Sequence, residues 1–83
     1  MLHNLSSQDY YLSIQSHVNL GLYYLNAQDR NRVIYHMLKA TYLMLVAFGE
    51  TAPDLLVSLA NLARGYQLGK EYSQAIKCYE MAM

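Results

Sequence analysis

Eighty-three residues, with six acidic and six basic side chains, make one small domain or a piece of a larger protein. At 54% apolar and 14% charged, the chain is too hydrophobic for disorder. It has no basic stripe to release counterions from phosphates, so no DNA partner is expected. One cysteine excludes an internal disulfide framework and fits a reducing compartment. The N-terminus carries no basic segment followed by an apolar core, and the longest apolar run, Tyr42 to Phe48, is far below the ~18–20 residues of a membrane helix. A cytoplasmic protein without membrane insertion is the default expectation.

Four helices account for the pattern, and no period-two alternation competes with them. The first runs from near Ser7–Asp9 to about Asn26, with Ile14, Leu20, Gly21 and Tyr24 on the stripe that also holds His17. Asn26-Ala-Gln-Asp29 breaks it. The second runs from about Asp29 to Phe48, with Val33, Ile34, Met37, Leu38, Ala40, Met44 and Leu45 as a broad apolar face, and Gly49 ends it. Thr51-Ala-Pro53-Asp54 offers the third helix a capping hydroxyl, a first-turn proline and an acid near its positive end. Leu55, Leu56, Leu59, Leu62, Ala63 and Tyr66 form its stripe, and Gly69 closes it. The fourth begins near Glu71 and carries Tyr72, Ala75, Ile76, Tyr79 and Ala82. The expected class is all-α in a single domain, residues 1–83.

The chain repeats itself. Ser16-x-x-Asn19-Leu20-x-x-x-Tyr24 returns 42 residues later as Ser58-x-x-Asn61-Leu62-x-x-x-Tyr66, and Ile34 and Ala40 return as Ile76 and Ala82. Residues 16–41 and 58–83 share six identities, where chance at this composition gives about two. Gly21 and Ala63 hold equivalent small positions, which let paired helices approach closely. Fixed-period self-similarity marks stacked helix pairs, here about residues 9–49 and 51–83. It points to a binding surface more than to a catalytic pocket.

The spacing Leu20-Gly21-x-x-Tyr24 … Val33 … Met37 … Ala40, and its second copy Leu62-Ala63-x-x-Tyr66 … Ala75 … Tyr79 … Ala82, resembles the tetratricopeptide repeat. That repeat has a period of about 34 residues, so each unit here is longer by roughly two helical turns. The long form, with Gly49-Glu50-Thr-Ala-Pro53-Asp54 between units, resembles kinesin light chains and the repeat region of clustered-mitochondria proteins. The segment from His36 to Glu50 leans toward the second. Two departures stand out: His17 replaces a large apolar residue, and Leu45 replaces the proline that ends the usual core motif.

The resemblance implies a non-catalytic scaffold whose first helices line a concave groove for a peptide. It places Gln15, Val18, Asn19, Leu22 and Asn26 there from the first unit. Val57, Ala60, Asn61, Arg64 and Leu68, with Gln67 alongside, come from the second. Asn19 and Asn61 either bond a ligand backbone or brace the helix stack. Arg64 either meets an acidic ligand residue or is simply solvated. Val18, Leu22, Ala60 and Arg64 do not reproduce the Lys–Asn clamp that holds chaperone C-termini. The resemblance to clustered-mitochondria proteins also implies RNA association, against which this segment's neutral charge argues.

No cofactor, metal or enzymatic activity is expected. His3, His17, His36 and Cys78 lack paired ligand spacing, and His17 reads as a core or seam histidine bonded to a carbonyl or a tyrosine hydroxyl. Cys78 takes the place of His36 in the second unit and reads as packing. Among the nine tyrosines, Tyr24, Tyr66 and Tyr79 belong to the core, while others must lie on a surface or under a neighbouring repeat. Two units fall short of the three or so that a solenoid needs, so self-association through an uncapped C-terminal end is expected, with exchange of helices as one route.

Overall fold

The computed structural model describes residues 7–52 and 54–82. The described residues form α1 (Ser7–Asn26), α2 (Arg30–Phe48), α3 (Leu55–Leu68) and α4 (Tyr72–Ala82), with one 3-10 turn at Gly49–Thr51 and no strand. Each helix packs on the next, and α1 also touches α3. The molecule measures 38 × 26 × 18 Å. Its thinnest dimension admits two helix layers at about 10 Å each.

Local chemistry sets the boundaries. Asp29 caps α2, its carboxylate accepting from the Arg32 N–H at 3.3 Å. Gly49 ends α2 at φ 75°, donating its N–H to the Leu45 carbonyl. The third helix starts later than the sequence suggests: Thr51 belongs to the 3-10 turn, and Asp54 stands at the cap without a side-chain bond. Pro53, expected in the first turn, lies outside the described residues, as does His3.

The two turns between paired helices are the same turn, 42 residues apart. Gln28 and Lys70 both take φ 59°. The Asp29 N–H reaches the Tyr24 carbonyl at 2.9 Å, and the Glu71 N–H reaches Tyr66 at 2.9 Å. Val33 bonds back to Asp29 at 3.0 Å as Ala75 does to Glu71 at 3.1 Å. Sequence periodicity thus reappears as backbone conformation. Across the turns, Arg30 donates to Glu71 at 2.6 Å, tying one to the other.

Two apolar clusters form the core. One joins Val33, Ile34, Met37, Leu62, Ala63, Ala75 and Cys78; the other joins Ile14, Ala40, Leu43, Met44 and Ala52. Between α2 and α3, Thr41 donates to the Met37 carbonyl at 2.8 Å, which leaves the Ser58 hydroxyl to donate to Thr41. Helix α3 approaches α2 closely at Gly65, where a Cβ would stand 2.8 Å from Val33 Cγ1 and 3.0 Å from Ile34 Cγ1.

Several expected core positions are exposed. Leu20, Leu38, Leu45, Leu56, Tyr72 and Ile76 all face outward. The reason is which helices have neighbours. Ile14 is 5% exposed in the cluster with Leu43 and Met44, while its counterpart Leu56 is 54% exposed. Among the described residues α4 reaches Ala82, the counterpart of Ala40, and the positions that would match Leu43 and Met44 are not among them.

Gly65→Ala should destabilise the fold by about 1–3 kcal/mol despite alanine's better helix propensity, because two branched side chains must yield. Adding Val33→Ala should recover part of that loss in urea titration. Gly21→Ala should cost less, since its closest neighbour is the flexible Met37 tip at 2.5 Å.

Candidate peptide groove and helix ends

Helical spacing places Gln15 and Leu22 on one strip of α1, beside Val57 and Arg64 on the corresponding strip of α3. Leu22, Val57, Arg64 and Gln67 are exposed, and Gln15 is half-buried. Gln15 Nε2 donates to the Tyr11 hydroxyl at 3.2 Å. The Gln67 carbonyl accepts from the Tyr79 hydroxyl at 2.9 Å, so its amide is partly committed within the hairpin. Asn19 and Asn26 are exposed as well.

Asn61 departs from the expected open groove position, being only 6% exposed. Its helix has neighbours on both sides, α1 and α2, whereas Asn19 on α1 has none on the corresponding side. The Asn61 amide forms no hydrogen bond to another described residue. Yet no side-chain polar atom is fully buried without a partner among them. The amide therefore keeps an accessible edge in the floor between the strips. Val18 and Leu68, also expected to face the groove, are half-buried and pack against the two clusters.

Two clefts were not anticipated. One, of about 320 Å³, is lined by Tyr11, Met44, Phe48, Ala52 and Asp54. The other, of about 380 Å³, lies among Thr41, Leu45, Glu50, Leu55, Leu56, Leu59 and Met81. The second lies between α2, α3 and the last turn of α4. Its leucines were legible in sequence only as core.

The structure also joins two histidines that sequence spacing kept apart. His17 Nδ1 and His36 Nδ1 lie 3.1 Å from each other, so one ring donates and the other accepts. The Tyr24 ring stacks on His36 at 5.7 Å, and Arg32 sits over Tyr24 at 5.4 Å. Burial, then the charges of His36 and Lys39, push the His17 pKa below 6.5. His17 is thus a seam histidine, but its partner is His36 and neither a carbonyl nor a tyrosine. A clue existed: their counterparts Leu59 and Cys78 are ordinary packing residues. Among the described residues, no three metal-ligating side chains converge. Burial raises the Cys78 pKa, which keeps it a thiol. Among the described residues, no helix is long and apolar enough to cross a membrane.

Because folded His17 resists a proton that the unfolded chain accepts near 6.5, stability should fall as pH drops from about 7.5 to about 5.5. Denaturant midpoints across that window should flatten in His17→Gln. Compared with protein-family models, curated proteins and solved structures, the chain matches none.

Proposed function

We propose that this chain is a non-catalytic, cytoplasmic adaptor module. In this reading it consists of two long tetratricopeptide-type helix pairs that present the α1/α3 face to an extended peptide. The repeated turn geometry and the serial helix packing support the repeat assignment. The observation that carries the binding assignment is the arrangement around Asn61. An accessible amide lies in an otherwise buried setting, between strips bearing Leu22 on one side and Val57 and Arg64 on the other.

Such a face suits a peptide. The amide is already largely desolvated, so bonding it to a ligand backbone costs less water than bonding an exposed one. Leu22 and Val57 offer apolar contact to alternate ligand side chains. Arg64 can form a bidentate pair with an acidic residue. Asn26 and Gln67 extend the polar edge toward the turns. A motor-cargo adaptor and a mitochondrial-distribution factor both use such a surface.

A peptide array should return extended ligands with an acidic residue flanked by apolar ones. Val57→Glu with Arg64→Glu should weaken binding at least tenfold, about 1.4 kcal/mol, without loss of helicity by circular dichroism. Asn61→Ala should weaken it too. Binding unchanged in both variants would remove the groove assignment. Salt-dependent retention of RNA in a filter assay, with no peptide binding, would favour the RNA-associated reading instead.

A further inference from the structure

Four of the six residues that repeat in sequence belong to the seam between α2 and α3. On α3, Ser58 bonds to Thr41, Leu62 shares a cluster with Val33 and Ile34, and Asn61 is buried next to them. On α2, Ile34 belongs to the same cluster and lies close to Gly65. All four have identical counterparts at the molecule's ends: Ser16, Asn19 and Leu20 on α1, and Ile76 on α4. Those four are exposed.

The contrast is sharp on α4. Ile34, which lies against Gly65 of α3, is 8% exposed, whereas its counterpart Ile76 is 57% exposed. The opposite end shows the complementary half. Leu12, Ser16, Asn19, Leu20 and Tyr23 lie along one side of α1, and all are exposed. None is charged. In fact Asp9 is the only Asp, Glu, Lys or Arg in the 20 residues of α1. A helix side meant for water ordinarily carries charge.

We infer that copies of this chain stack head to tail, the α4 end of one receiving the α1 side of the next, in the arrangement already formed between α2 and α3. The occupant of each exposed end is therefore a second copy. Asn19 then takes up the buried seam position that Asn61 holds within the chain.

Two differences make the junction looser than the internal seam. Tyr23 is the sequence counterpart of Gly65, which permits the closest approach, and the counterpart of Thr41, which bonds Ser58, is Met83, outside the described residues. The first is partly offset. Val33, whose Cγ1 would be 2.8 Å from a Cβ at Gly65, is replaced on α4 by Ala75, which has no Cγ. The contact is heterologous and does not close on itself, so it lengthens into open chains as concentration rises.

Leu20→Glu and Ile76→Glu test this without touching the groove, so the result is independent of whether a peptide binds there. Wild-type chain in sedimentation velocity should pass beyond the dimer as concentration increases. Each variant alone should stay monomeric with unchanged helicity, because each lacks one end of every junction. An equal mixture of the two should form a dimer and nothing larger, through the one junction that remains intact. A wild-type monomer at the highest concentration would overturn the inference. So would Leu20→Glu remaining dimeric, the mark of a two-fold α4 contact, or a mixture that fails to associate.

Discussion

The structure depends on how closely α2 is gripped from both sides. Gly21 on α1 and Gly65 on α3 each remove a Cβ where α2 presents Met37 and the Val33–Ile34 pair. Val33, Met37 and Ala40 are consequently sealed from solvent. Close packing of this kind tolerates little change in volume. The other helices take their positions from α2, and α4 joins it through the shared cluster at Ala75 and Cys78. Rigidity should therefore be greatest at the middle of the molecule and fall toward α4, which is the shortest of the four helices.

Helix number, order and turns were legible in the sequence because their causes are local. Asp29 caps, Gly49 stops, and the echo of Tyr24 and Asp29 in Tyr66 and Glu71 marks a repeated turn. The width of each buried stripe was not legible, because that depends on how many neighbours a helix has. Leu62 and Leu20 are the same residue at the same repeat position, but only Leu62 has α2 against it. Likewise the burial of Asn61 was not legible, because it follows from α3 being an interior helix. The His17–His36 contact joins residues 19 apart on different helices, beyond the reach of any spacing rule.

The α1/α3 face and the two ends share one chemical character. Charge on this molecule is concentrated near the turns: Asp29, Arg30, Arg32, Lys70 and Glu71 sit there, with Arg30 and Glu71 paired across them. Tyr, Leu, Asn and Ser make up much of the helix flanks, beside scattered charges such as Lys39 and Arg64, and suit contact with protein more than with a charged polymer. A stacked array would bring successive groove strips into line, so that a longer peptide could engage several copies at once. Linked sites of that kind gain apparent affinity from proximity without any new contact.

Cys78 gives the molecule its own clock. It is the only thiol in the chain, it is buried on α4 against the core, and burial holds it in the unreactive protonated form. A thiol-directed reagent can reach it only when α4 lifts away from α3. The labelling rate of this one sulfur therefore reports how often the last helix opens, and a neighbour seated on α4 would slow it.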